Sequence, residues 1–500
     1  MNSASDNPYT DLPSALYRAA QVRELDRLAI EEQGIPGETL MACAGQAAFL
    51  VIQQRWPRAR SLGVLCGVGN NGGDGFVVAR LAQAAGYSVK VWQVGEADKI
   101  RGDALTARRQ AQVAGINIAP FTGADLSGVE VVVDGLLGTG LSGEVDGDWR
   151  QAIEAVNAAH VAGSYVMALD IPSGLHADTG RILGAAVQAD ACVTFIGLKM
   201  GLFTGQGPAM CGVISFSDLD VPEAVYAQLS PAATRLSWER DVLPARSPTA
   251  HKGDFGHVLV IGGDYGMSGA LRLAGEAALR TGAGLVSAAT RAEHAASISA
   301  ARPELMSHGI EAISSLAPLL KRANVLAVGP GLGQSEWGRL LFSVVLESSL
   351  PMVMDADALN LLAAEPMHRD NWILTPHPGE AARLLGQSIA QVQSDRVAAT
   401  EALQKKYGGV AVLKGAGSMV VNNRGEIGVC SEGNPGMASG GMGDVLTGII
   451  AALIAQGCGL DDAAQQGVCL HARAADMAAQ RGQRGLLASD LFPHLRNLVG

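Results

Sequence analysis

Aromatic side chains are scarce in this sequence, at 4% of 500 residues, while apolar residues make up 48% and glycine alone accounts for 63 positions. Much Ala, Val, Leu and Gly with few rings suits tightly packed α/β layers joined by glycine-rich turns, and so apolar a chain is not disordered. Positive charge is also short: 37 Lys and Arg stand against 48 Asp and Glu, a formal charge of −11. That balance argues against nucleic-acid partners, which need a cationic surface. It leaves phosphorylated small molecules open, because glycine-loop amides and helix N-termini hold phosphate without net positive charge. The seven cysteines, at 43, 66, 192, 211, 430, 458 and 469, form no Cys-x-x-Cys, which speaks against a disulfide framework or a zinc site. No run of about 18 uncharged apolar residues occurs; the stretch Val445 to Ala455 is broken by Thr447 and Gly448. The opening MNSASDNPYT has neither the basic start nor the apolar core of a signal peptide. A cytoplasmic protein with no membrane partner is expected. A G-x-x-x-x-G-K-[ST] loop is missing too, so this is not a P-loop enzyme.

At about 100 to 200 residues per domain, the length calls for two to four domains. Helical spacing runs over Ala15 to Gln33 and stops at Gly34-Ile35-Pro36-Gly37. From Leu62 onward, short runs (Gly63–Leu65, Val89–Val94, Val129–Val133, Tyr165–Leu169) alternate with Ala-rich helical stretches, the rhythm of βαβ units around a parallel sheet. The rhythm lapses between Val221 and Pro248, where Pro222, Pro231, Pro244 and Pro248 cluster. A second α/β set begins with His257–Ile261 and continues through Val325–Val328, Met352–Met354 and Val410–Leu413. The expected division is a domain over 1–222, a linker over 223–247 and a second domain over 248–500.

Residues 66–75 read CGVGNNGGDG, after a strand and ahead of a helical pattern. Glycines there let backbone approach a ligand, and the helix behind offers free N–H groups to an anion. Both this loop and GTGLSG at 138–143 match G-x-G-x-x-G, a cheap pattern in so glycine-rich a chain and equally a mark of an ordinary Rossmann dehydrogenase. More specific are the carboxylates that end two strands: Asp134 before GTGLSGE, and Asp170 before Ile-Pro-Ser-Gly. Either alone could cap a turn; together they converge where open α/β sheets bind ligands.

These residues resemble the NAD(P)H-hydrate epimerase family, through VRELDRLAIEEQGIPGETLM, GVGNNGGDG, VVDGLLGTGLSG and LDIPSGLHADTG. The resemblance implies a Rossmann-like three-layer α/β/α domain that interconverts R and S hydrates of NADH and NADPH at C6. It implies that Asn70, Asn71, Gly72, Gly73 and Asp74, with Gly138, Thr139, Gly140, Leu141, Ser142, Gly143 and Glu144, hold the dinucleotide. Asn71, Asp134 and Ser173 would ligate a potassium ion through oxygen, and Asp170 would be the catalytic acid/base. Lys199, in FIGLKMGL, is either a second polar group of the site or an exposed strand-end lysine. The chain departs from the family after Leu-Met, where Ala42-Cys43 replaces an acidic residue.

The chemical signal of the second half is GNPGMASGGMGDVLTG. Glycines before a helix leave N–H groups free as an anion hole, and Asp444 could take a proton from a hydroxyl there; it could also simply cap the helix. The G-G-x-G-D pattern resembles the ribokinase-like superfamily. With HKGDFGHVLVIGG, GPGLG, DADALN, LTPHPGEAARLLG and VLKGAGSMV it resembles the ADP-dependent NAD(P)H-hydrate dehydratase family. That implies Asp444 as base, with Lys414, Gly415, Ala416, Gly417, Ser418 and Gly443 on the adenylate and Ala270, Gly331 and His377 around the hydrate. Phosphate would pass from ADP, with magnesium, to the C6 hydroxyl and then leave. His377 could instead cap a turn, and Asp355 and Asp357 could simply start a helix. The alternative for the whole chain is a vitamin-precursor kinase with a nucleotide-binding N-terminal module. The resemblance carries small-molecule partners (hydrates of NADH and NADPH, and ADP) and a homo-oligomer.

Overall fold

The computed structural model describes residues 12–500 except residue 124. MNSASDNPYT, where no signal was read, lies outside the described residues. The chain forms two compact units, Met1–Thr234 and Arg235–Gly500.

Unit 1 contains β1 (Ala15–Tyr17), β2 (Ser61–Cys66), β3 (Ser88–Gln93), β4 (Ile118–Pro120), β5 (Val131–Gly135), β6 (Tyr165–Leu169), β7 (Ala191–Phe195), β8 (Leu198–Lys199) and β9 (Val213–Ser217). β10 (Ala233–Leu236) spans the unit boundary. The main sheet has the order β4-β3-β2-β5-β6-β7-β9 and is parallel throughout. β5 is buried at every residue and β6 at all but Tyr165, as expected of strands with helices on both faces. The expected helix from Ala15 begins instead at Ala19, because Ala15–Tyr17 pair in extended form with β10 and β8; tertiary pairing overrides local periodicity there.

Unit 2 contains β11 (His257–Ile261), β12 (Leu285–Thr290), β13 (Met306–Gly309), β14 (Val325–Val328), β15 (Met352–Met354), β16 (Trp372–Leu374), β17 (Val410–Leu413), β18 (Ser418–Val421) and β19 (Ile427–Cys430). They lie in the order β13-β12-β11-β14-β15-β16-β17-β18-β19, with β18 and β19 antiparallel. Alternate residues feed two cores: Val258 and Val260 enter one, Leu259 and Ile261 the other. Each such side chain contributes about 1.5–3 kcal/mol on burial, so both faces are covered by helices, a three-layer α/β/α arrangement. No helix among the described residues is long and apolar enough to cross a membrane.

Candidate active sites

In unit 1 the chain leaves β2 toward β3 and returns on the other side of β2 at β5. The loops after β2 and β5 therefore diverge and open a crevice at the carboxyl ends of the strands. Gly67 lies so close to the second loop that a Cβ would stand 1.9 Å from the Leu136 carbonyl oxygen; no larger residue permits that contact. The helix Asn70–Ala84 then starts directly, so its first N–H groups face the crevice.

Asn71, Asp134 and Ser173 converge beside Leu137. Asn71 Nδ2 donates to the Leu137 carbonyl at 3.0 Å, while its Oδ1 is buried without a hydrogen-bond partner. Asp134, wholly buried, accepts from the Ser173 N–H at 2.8 Å and the Ser173 hydroxyl at 2.6 Å. Burial pushes the Asp134 carboxyl up to about 6, against the opposing pull of those Ser173 bonds.

Asp170, just past β6, has φ +63°, a left-handed conformation costly for a residue with a Cβ. Its carboxylate meets the Lys199 ammonium, which also donates to Thr194 Oγ1 at 3.0 Å and the Phe195 carbonyl at 2.9 Å. Lys199 is fully buried, so the exposed strand-end reading of this lysine is wrong: β8 carries it inward. Two further carboxyls face this pair. Burial, then Asp170, then Asp26 push Asp74 far above the usual range, and burial followed by Asp170 pushes Asp26 up to about 6; Lys199 opposes both shifts. Asp26 did not emerge from the motifs as a site residue. Its signal was there: it shares the stripe of Val22, Leu25 and Ala29 that helix Ala19–Glu31 buries, an acidic residue on an apolar face.

The loop 138–144 divides. Gly138 lies against Asn71, Thr139 and Leu141 are half-buried, and Gly140, Ser142, Gly143 and Glu144 face outward, Glu144 pairing with Arg181 at 3.6 Å. Asn70 is exposed, whereas Asn71, Gly72, Gly73 and Asp74 are buried.

In unit 2 the chain reverses its course between β11 and β14. The loops after these strands touch through backbone: Gly263 N–H donates to the Pro330 carbonyl at 3.0 Å, and a Cβ on Gly331 would stand 3.4 Å from that of Ala270. Ala270 and Gly331 are thus neighbours. The loop after β15 joins them, since the Gly333 N–H donates to Asp357 at 2.9 Å and Gly329 packs on the Asp355 carbonyl.

Asp444 is the third residue of helix Met442–Ala455, whose N-cap is Gly441 at φ +90°, so capping does not explain the aspartate. Burial first, then Asp355, push its carboxyl up to about 7, with Lys414 pulling the other way. His377 does cap: its Nδ1 accepts from the Gly379 N–H at 3.0 Å, and Nε2 lies 3.3 Å from Glu380. Burial, then the Lys414 charge, hold this imidazole below its usual range.

The segment 414–418 also divides. The Lys414 ammonium turns inward to Asp355 at 2.6 Å, Gly415 and Ala416 are exposed, and Ser418 Oγ closes the turn on the Gly415 carbonyl at 3.1 Å. Arg396, buried behind this turn, donates Nη2 to the Leu413, Lys414 and Gly417 carbonyls at 3.2, 3.3 and 3.4 Å. Burial lowers its guanidinium to about 10. Arg396→Lys keeps the charge but loses the planar fork, so a loss of about 1–3 kcal/mol is expected from the stranded carbonyls, measured by chemical denaturation.

Residues 258–497 match a family model described as NAD(P)H-hydrate dehydratase, and residues 37–201 one described as YjeF-related protein N-terminus. A bifunctional NAD(P)H-hydrate repair enzyme from Coxiella burnetii is 51% identical over 97% of this chain and 99% of its own length. One from Escherichia coli is 46% identical over 99% of this chain and 95% of its own. Among solved structures, a ribokinase-like superfamily protein from Enterococcus faecalis covers 53% of this chain and 95% of its own with 28% identity and a TM-score of 0.50. Because full-length relatives far above 30% identity align across both units, the chain belongs to the family of bifunctional NAD(P)H-hydrate repair enzymes.

Proposed function

We propose that this protein repairs hydrated NADH and NADPH in two steps, epimerising the C6 hydrates in a domain over residues 1–222 and dehydrating the S form in a domain over 248–500. The observation that carries the reading is the pairing, in one chain, of two strand-end sites built around carboxylates, in a family whose members are named bifunctional NAD(P)H-hydrate repair enzymes. In the first site, Asp170 moves the proton at the hydrate and Lys199 holds its carboxylate. The glycine backbone from Asn70 to Asp74 and the loop 138–144 take the dinucleotide. The unpartnered Asn71 Oδ1 beside Asp134 and Ser173 fits potassium, which prefers neutral and anionic oxygen; the ion would tie the two loops together and supply local positive charge.

In the second site, Asp444 takes the proton of the C6 hydroxyl as its oxygen attacks the β-phosphorus of ADP, releasing AMP. The C6–O bond then breaks with phosphate as leaving group, and loss of the C5 proton restores the ring double bond. Phosphorylation serves because hydroxide leaves poorly. Ala270, Gly331 and His377 flank the hydrate, and residues 414–418 with Gly443 take the adenylate. Among the described residues no group of three or more His, Cys, Asp or Glu is placed to hold a metal, so magnesium would enter on the nucleotide's own phosphates with its waters, where it offsets their charge. The same reading places the enzyme in the cytoplasm as a homo-oligomer, with neither nucleic acid nor membrane as partner.

The test uses mixed epimers of hydrated NADH and follows the absorbance of the dihydronicotinamide with ADP, ATP or neither. Recovery of the whole hydrate pool with ADP is expected. No recovery with either nucleotide, or accumulation of a stable phosphorylated product, would overturn the repair reading in favour of a small-molecule kinase.

A further inference from the structure

Asp355 lies at the end of β15, and its side chain is almost wholly buried. A carboxylate placed there must be held by donors or it will protonate. It is held on both oxygens. Oδ1 accepts from the Lys414 ammonium at 2.6 Å, and Oδ2 accepts from the Thr447 hydroxyl at 2.8 Å. Burial works against its charge, but Lys414 and then these hydrogen bonds outweigh it, so the carboxyl sits below its usual range. The next residue, Ala356, is a non-glycine residue at φ +47°, a conformation that costs about 1–3 kcal/mol and persists only where the surroundings enforce it.

Thr447 lies one turn beyond Asp444 on helix Met442–Ala455. A Cβ on Gly443 would stand 3.1 Å from Lys414 Nζ and 3.5 Å from Asp355 Oδ2. The ammonium therefore occupies the mouth of the glycine turn, beside the proton-accepting aspartate and away from the exposed tip at Gly415 and Ala416. We propose that Asp355 is a positioning residue of the second site: tied by Thr447 to the helix that carries Asp444, it holds Lys414 at the Gly443 turn, where the ammonium meets the phosphoryl group in transfer. This assignment rests on the dehydratase reading and adds two roles to it. Lys414, within the stretch that takes the adenylate, also serves the transferred phosphate, and Asp355 sets both its place and the charge that Asp444 feels.

The charged groups facing Asp444 are Asp355 and Asp357 after β15, Glu380 on helix Pro378–Leu385, and Lys414 at the end of β17. His377 and His471, the latter on helix Leu460–Ala479, face Lys414. Within this set, Asp355→Asn removes the negative charge that most opposes ionisation of Asp444, so Asp444 ionises at lower pH.

The experiment compares the full unsubstituted chain with Asp355→Asn and Thr447→Val, using S-hydrate and ADP and reading kcat, KM for ADP and the pH profile of kcat. Asp355→Asn is expected to lower kcat about 100-fold, as misplacement of a reacting group by about 1 Å does, with a much smaller change in KM. Its acid limb moves to lower pH. Thr447→Val, which keeps the carboxylate but releases one oxygen, lowers kcat about tenfold, as loss of one hydrogen bond does, and leaves the limb in place. An Asp355→Asn enzyme with unchanged kcat, or with reduced kcat and an unmoved limb, overturns the assignment. If that variant does not fold, Thr447→Val decides: reduced kcat supports the assignment and unchanged kcat overturns it. An unsubstituted chain that restores no dihydronicotinamide overturns the dehydratase reading and this assignment with it.

Discussion

Asp444→Asn is expected to lower ADP-dependent dehydration by about 10²–10⁴-fold, the usual contribution of a positioned general base, while leaving epimerisation intact. The variant keeps the shape of the side chain and removes only its capacity to take the hydroxyl proton. Its pH dependence follows from the environment of the carboxyl, pushed up to about 7 by burial and by Asp355. A raised carboxyl is protonated below that value and cannot act as base there. The wild-type kcat/KM should therefore climb with rising pH through about 7 and level off above it. A steady-state kcat/KM profile reads this directly; a flat profile from pH 5 to 8 would remove Asp444 from the proton transfer. The same substitution should leave the melting temperature unchanged or raise it, because a burial-penalised carboxylate beside Asp355 is exchanged for a neutral amide. Residues held in unfavourable surroundings for chemistry commonly trade stability in this way. A fall in melting temperature together with activity would instead indicate a folding defect.

The second large effect is expected at Lys199. Its side chain has no exposed surface and its partner Asp170 is 16% exposed, so water screens the pair little. Removing one partner of a buried ion pair costs about 3–5 kcal/mol, because the remaining charge is stranded. Lys199→Met should destabilise unit 1 by that amount and abolish epimerisation. With Asp74 and Asp26 also facing Asp170, loss of the ammonium leaves three carboxyls to share the space. Adding Asp170→Asn to Lys199→Met should recover much of the stability, since replacing both members of a buried pair is close to neutral, while epimerisation stays absent. Denaturation of the four chains of this double-mutant cycle measures the coupling. A coupling near zero would show that Lys199 serves packing alone.

Much of both sites was legible along the chain because the signals are local. A strand of branched apolar residues, a glycine run and a helix start occupy adjacent positions, so CGVGNNGGDG after β2 and GGMGD before helix Met442–Ala455 could be placed at strand and helix ends without a fold. Asp134 and Asp170 were found in the same way, as acidic residues ending buried runs. Periodicity likewise anticipated β6, β11, β14, β15 and β17, whose residues, Tyr165 apart, are buried on both faces. It failed at Ala15–Tyr17, where pairing with residues more than a hundred positions away overrode the helical spacing.

What the chain order could not reveal is which polar groups pair. Lys414 and Asp355 stand 59 positions apart, Thr447 and Asp355 92, and Lys199 and Asp170 29. As letters, Lys199 reads equally as a surface lysine, Asp355 as a helix start and Asp444 as a cap. Arg396 looks like one more charged residue on a helix, although it is buried behind the turn it supports.

Sequence alone determined the class of this protein, the two sets of βαβ units and the loops at which ligands would approach, because hydrophobic period and glycine conformation act over a few residues. The tertiary structure decided which carboxyls keep their charge. Ionisation in a protein interior depends on burial and on the distance to an opposite charge, and both are set only when the parallel sheets bring remote strand ends together.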